Sequence, residues 1–280
     1  MSIVIPNWNG GEVLVECVES ILTHTRGTDV ELILVDNGSS DASRDAIAAF
    51  AKADRRVTAI LNDRNLMFAH ACNQGAELAL GRYLLVANND IVLVDDAVSE
   101  LAAYADDNRH VAAVTPVFVD AEGRQQEFVR RLPHAGHIIC HYHRLGRIVD
   151  RVLLGRHFQN RYFYRDRSFT DVEEIEQAGA SFTLFRKSAI DILGVLFDDS
   201  YPLLFNDVDL YRRLRHAGLA SHVVPSIRVV HLAGVSSAKL DPRLYRQLHF
   251  RAMFDYFRRN HPWQVPLLCL AWPHRWIFGP

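Results

Sequence analysis

Short runs of β-branched and aliphatic residues alternate with stretches whose apolar positions recur every three or four residues through the first 120 positions. Ser2 to Pro6, Glu31 to Val35, Val57 to Leu61, Tyr83 to Ala87 and Val111 to Val117 read as strands. Between them, Leu14, Val18, Ile21 and Leu22, and later Ala71, Ala76, Leu78 and Leu80, fall at helical spacing. The alternation predicts an α/β fold with a mainly parallel central sheet covered by helices on both faces. Ligands of such sheets sit beyond the carboxyl ends of the strands.

From Gly123 to Glu176 the period disappears into a stretch rich in Arg, His and aromatics, read as a variable excursion over the sheet. Regularity returns with a strand over Ser181 to Phe185 and helices from Ser188 and from Asp207 through His216. Two short strands are expected near His222 to Val224 and Arg228 to His231, then a helix over Leu244 to Arg259 and a Trp- and Pro-rich tail.

Composition narrows the function classes. At 280 residues and 49% hydrophobic the chain can bury a large core, and a net charge of -2 with pI near 6.7 provides no basic field for nucleic acid. Cys17, Cys72, Cys140 and Cys269 form no C-x-x-C pair, against a zinc ribbon or disulfide framework and in keeping with a reducing, cytoplasmic setting. The opening Ser2-Ile-Val-Ile-Pro6 follows no basic leader, and no apolar run approaches the ~20 residues of a membrane span.

Four polar clusters carry candidate chemistry. Asp36-Asn37-Gly38-Ser39-Ser40-Asp41 ends the second strand in a carboxylate able to accept from a ribose hydroxyl or a base N–H, although it also makes an ordinary turn and helix cap. Asn88-Asn89-Asp90 lies between two buried runs, where three polar residues are costly unless they face a solvated or metal-filled cleft; oxygen ligands there suit Mg²⁺ or Mn²⁺. Phe205-Asn206-Asp207-Val208-Asp209 opens a helix, where acidic residues also favour the dipole. Asp207 and Asp209 diverge on a helix, so one faces the cleft while the other caps or orients. His231, three residues before Gly234, gains meaning from this company. His134, His137, His141 and His143 have metal-compatible spacing without carboxylate or Cys partners. No G-x-G-x-x-G, Walker A or G-x-S-x-G motif is present.

In this order the clusters resemble the inverting glycosyltransferases of family 2, of GT-A fold, particularly their bacterial rhamnosyltransferase-like members. The resemblance runs from Ser2 to Gly234 through Ile3-Val-Ile-Pro-Asn-Trp-Asn9, Asn65-Leu-Met-Phe-Ala-His-Ala-Cys-Asn-Gln-Gly75 and the four clusters. It implies a GT-A domain over 1–240, with a nucleotide-binding half at 1–120 and an acceptor half at 121–240, and a helical tail at 241–280. It places the nucleotide sugar on Pro6, Asn7, Asp36, Asn37, Arg64, Asn65, Asn73, Asn88 and Asn89, a divalent metal on Asp90 and His231, and the general base on Asp207. The family usually has acidic residues where this chain has Asn88 and Asn206, which lowers the ligand charge and leaves Asp207 as the base of that turn.

The implied reaction is a single displacement from a nucleotide diphosphate donor, with dTDP-L-rhamnose leading, to a glycan or lipid-linked acceptor hydroxyl. Two competing readings are a nucleotidyltransferase, disfavoured by Asn7-Trp-Asn-Gly-Gly11 lacking Lys or Arg, and a non-catalytic nucleotide-sugar-binding module, motivated by Asn88 and Asn206. The last predicted helix and tail interleave Arg243, Arg246, Arg251, Arg258 and Arg259 with aromatics through Trp263, Trp272 and Trp276. Such a segment suits either peripheral contact with the inner face of the cell membrane or packing as a closing helix.

Overall fold

The computed structural model describes residues 1–232 and 240–272. The first half alternates as β1 (Ser2–Asn7), α1 (Glu12–His24), β2 (Glu31–Asn37), α2 (Ser43–Ala53), β3 (Val57–Asn62), α3 (Phe68–Leu78), β4 (Tyr83–Ala87), β5 (Ile91–Val92), α4 (Ala97–Asp107) and β6 (Val111–Val119). It continues through β7 (Val129–Arg130), α5 (Ala135–Tyr142), α6 (Arg144–Val152), α7 (His157–Tyr162), β8 (Glu173–Glu174) and β9 (Gln177–Ala178). The chain closes with β10 (Phe182–Arg186), α8 (Lys187–Leu193), α9 (Asn206–His216), β11 (Ala220–His231), α10 (Pro242–Asn260) and α11 (Val265–Ala271).

The main sheet runs β3-β2-β1-β4-β10-β6-β11-β5, with β8 paired to β11. The β3-β2-β1-β4 half is parallel as expected, but β10 is antiparallel to both β4 and β6, so the sheet is mixed. Every residue of β1, β4 and β6 is buried, as central strands covered on both faces must be. A fully buried Ile or Leu in such a strand contributes about 2 kcal/mol of apolar transfer. Helix α1 turns Leu14, Cys17, Val18 and Ile21 onto the sheet from one face, the i, i+3, i+4, i+7 pattern.

Two expectations need correction. The two strands expected at its end are one, β11, whose pairing with β6 slips between Val224 and Arg228. The region from Gly123 to Glu176 is not an irregular excursion: it holds three helices. Helix α10 buries Met253, Phe254 and Phe257 in a second core with Tyr201, Phe205 and Ile138, the packing of a closing helix. Of the tail tryptophans, Trp272 is buried, Trp263 is exposed, and Trp276 lies outside the described residues. No described helix is long and apolar enough to cross a membrane.

Candidate active site

The strand ends gather a cavity of about 250 Å³, lined among others by Pro6, Asn7, Asn37, Asn65, Asn88 and Asn89. Asp90 and Asp207 open onto the same space, from opposite halves of the chain. Parallel pairing brings Asn7 beside Asp36, and Asn7 Nδ2 donates to Asp36 Oδ1 at 3.2 Å while Asn7 Oδ1 accepts from Asn89 Nδ2 at 2.6 Å. A Cβ on Gly10 would stand 2.3 Å from Asn7 Oδ1 and 2.6 Å from Asn89 Nδ2, so the loop after β1 requires glycine there. At Gly38, φ is +70° and a Cβ would meet the Arg64 backbone at 2.6 Å, which fixes how closely the 64–67 segment crosses the end of β2. Asn37 holds that segment, donating to Met67 O at 3.1 Å.

Three residues expected to touch the donor do not line this cavity. Asp36 has no exposed surface: it accepts from Asn7 and from Ser39 N at 3.0 Å and lies 3.7 Å from Arg44, so it sets the Asn7 amide in place from beneath. Asn73 spends its amide on Phe197, donating to its carbonyl at 2.8 Å and accepting from its N–H at 3.0 Å, which ties α3 to the 197–199 loop. Arg64 is exposed and contributes its backbone to the Gly38 crossing.

His231 stands behind Asp90 because β5 pairs antiparallel with β11, His231 against Ile91. Its Nε2 is 3.4 Å from Asp90 Oδ1, and both atoms are buried with no hydrogen-bond partner. Gln126 fixes the ring: its Nε2 donates to His231 O at 2.7 Å, leaving its Oε1 to accept from His231 Nδ1 at 3.0 Å. With Nδ1 protonated, a neutral ring turns the Nε2 lone pair towards the carboxylate. Two buried acceptors facing each other demand a proton or a cation between them. Neighbouring ligands of an octahedral Mg²⁺ or Mn²⁺ at ~2.1 Å stand about 3 Å apart, near the observed spacing, so the pair fits a divalent cation. Among the described residues no group of three or more His, Cys, Asp or Glu could hold a metal. Asn88 donates to Ser181 Oγ at 3.2 Å and stays on the cavity wall. The His134 to His143 series serves helix ends instead: His137 is buried and pushed down to about 4, first by burial and then by surrounding positive charge.

Asp207 sits in the first turn of α9, after Phe205 in a left-handed conformation (φ 66°). A bulky residue there is strained, and Phe205 is held by packing on Tyr256 and His249. Burial raises the Asp207 carboxyl above the usual carboxylate range; the Arg130 charge and the Val208 N–H oppose the rise. Asp209 turns away and pairs with Arg213 at 2.7 Å, whose remaining N–H groups donate to Val195 O and Leu196 O. Asp207 thus lines the cavity while Asp209 is engaged by Arg213. Sequence reasoning missed Gln126, Ser181 and Arg130; a lone amide far from its histidine leaves no local pattern.

The chain matches glycosyl transferase family 2 over residues 2–193. It is 37% identical over 101 residues to the glycosyltransferase GlyG of Streptococcus pneumoniae, covering 36% of this chain and 33% of that protein. It is 38% identical over 104 residues to a PGL/p-HBAD biosynthesis glycosyltransferase of Mycobacterium bovis, covering 37% of this chain and 40% of that one. The chain thus spans well under half the length of these relatives. Among solved structures it resembles a mannosyltransferase from Pyrobaculum calidifontis in complex with GDP-Man and Mn²⁺, with TM-score 0.56 and 16% identity over 100% of this chain and 75% of that one. It also resembles GalNAc-T7 with UDP, GalNAc and Mn²⁺, with TM-score 0.60 and 17% identity over 82% of this chain and 43% of that one. The fold is GT-A-like, and the chain belongs to glycosyl transferase family 2.

Proposed function

We propose that this chain transfers a sugar from a nucleotide diphosphate donor to a hydroxyl of a glycan or lipid-linked acceptor, inverting the anomeric centre. The observation that carries the reading is the opening of Asp90 and Asp207 onto one cavity walled by the Asn7, Asn89 and Asn88 amides. The two structural neighbours, each bound to Mn²⁺ with a nucleotide or nucleotide sugar, support it at the level of the fold. L-rhamnose carried on dTDP is the donor assigned here, on the sequence resemblance.

In this reading Pro6, Asn7, Asn37 and Asn65 receive the nucleoside side of the donor, and Asp36 keeps Asn7 oriented. Asp90 and His231 would hold Mg²⁺ or Mn²⁺, whose charge would offset that of a leaving diphosphate. Asp207 takes the proton of the acceptor hydroxyl as its oxygen attacks the anomeric carbon, and the raised carboxyl pKa makes it a stronger base than an exposed aspartate. A single displacement delivers the acceptor opposite the leaving group. The test is the anomeric configuration of the product by NMR: inversion agrees with Asp207 acting as a base, and retention contradicts it.

A further inference from the structure

Helix α6 is built inside out. A helix on a globular protein turns its apolar stripe inward, yet Leu145, Ile148 and Val152, at i, i+3 and i+7, are 61%, 51% and 69% exposed. Its inward stripe is Gly146 and Asp150. A Cβ on Gly146 would stand 2.4 Å from Ile139 O, so the glycine lets α6 lie hard against α5. Asp150 caps α7, accepting from Phe158 N at 3.0 Å and Gln159 N at 3.1 Å. The helix is therefore anchored by its polar side, and the apolar stripe continues into exposed Leu153 and Leu154. Among the described residues nothing covers it.

Charge identifies the surface it meets. Arg144, Arg147 and Arg151 form a second exposed stripe alongside the apolar one, with Arg156 just beyond the helix. Among the described residues none of these four arginines makes an ion pair. From Phe128 to Phe163 the chain carries seven arginines and a single carboxylate, the buried Asp150, although its net charge is only -2. An apolar stripe rimmed by unpaired arginines fits the head-group region of an anionic bilayer, where the side chains insert and the guanidinium groups meet lipid phosphate. The segment from β7 to α7 also borders the Asp207 side: the Asp207 carboxylate feels Arg130, and both Tyr142 of α5 and Tyr162 of α7 feel Asp207.

We propose that α6 is an interfacial helix that docks the protein on an anionic lipid surface through Leu145, Ile148 and Val152. Its purpose, to bring the Asp207 side to acceptors held in that surface, rests on the lipid-linked acceptor of the proposed function; its test requires no turnover.

The experiment is co-sedimentation of the full chain with vesicles of phosphatidylcholine alone and of phosphatidylcholine with phosphatidylglycerol, followed by hydrogen exchange. Binding is expected to the anionic vesicles only, with protection gained over residues 144–154. Partitioning should drop about fivefold for each of Arg144→Gln, Arg147→Gln and Arg151→Gln, and be lost in Leu145→Gln/Ile148→Gln/Val152→Gln with an unchanged melting temperature. Absence of vesicle binding overturns the proposal, as does binding that leaves 144–154 unprotected. So does a dimer dissolved by the triple glutamine variant without any vesicle binding, which would give the stripe to a second copy. Asp90→Asn should leave vesicle binding intact, so that failure of the donor site and failure of the lipid surface are read separately.

Discussion

His231 Nε2 and Asp90 Oδ1 face each other at 3.4 Å, buried and without another hydrogen-bond partner, and Gln126 turns the imidazole into that arrangement. Asp90→Asn and His231→Ala should each abolish Mn²⁺ binding measured by electron paramagnetic resonance in the presence of nucleoside diphosphate. Gln126→Leu removes only the group that orients the ring, and outer-shell changes of that kind weaken metal affinity about 10–100-fold. Unchanged Mn²⁺ affinity in Gln126→Leu would show that the ring needs no such support.

Asp207 and Asp209 lie two residues apart and should fail in different ways. Asp207→Asn is expected to lower kcat by about 10²–10⁴, the usual worth of a positioned general base, with donor affinity and melting temperature retained. Asp209→Asn breaks the pair that ties Arg213 to the Val195 and Leu196 carbonyls, a partly exposed interaction worth about 1–3 kcal/mol. Thermal unfolding should detect that loss, while kcat per folded molecule stays near the parent value.

The pH dependence follows from the same carboxylate. A base acts only when deprotonated, so a raised Asp207 pKa places the acidic limb of the kcat/KM profile above the ordinary range of an aspartate. Arg130 opposes that rise. Arg130→Gln should therefore move the acidic limb to higher pH, and a shift to lower pH would contradict the assignment of Asp207 as base.

Strand placement was legible because β1, β2, β4 and β6 bury nearly every side chain and so appear as uninterrupted apolar runs. Asp90 stood out because polar residues between buried runs are costly away from a cleft, whereas Asp207 was singled out through the family resemblance. Helix α6 was hidden by its inversion: its apolar stripe faces outward among arginines, so the region lacked the pattern of a helix packed on a core. Asp36 and Asn73 were expected at the donor through the resemblance, and side-chain type tells of hydrogen-bonding capacity, not of which partner takes it. Asn73 is claimed by Phe197, far along the chain. Gly234, the last residue of the His231 motif, lies outside the described residues.

Gly10→Ala separates the amide wall of the cavity from the fold. The added methyl would collide with the Asn7 and Asn89 amides, so nucleotide affinity should fall at least tenfold by titration calorimetry while far-ultraviolet circular dichroism is unchanged. Parent-like affinity would place the donor elsewhere.

The most direct measurement is a thermal-shift series with UDP-, dTDP- and GDP-sugars, with and without Mn²⁺, on the parent chain and on Asp90→Asn, since a ligand of the folded state raises apparent stability by mass action. The predicted result is a Mn²⁺-dependent rise with one donor class, led by dTDP-L-rhamnose and absent in Asp90→Asn. No rise with any donor, or a rise indifferent to both Mn²⁺ and Asp90→Asn, would contradict a metal-assisted nucleotide-sugar site in this cavity.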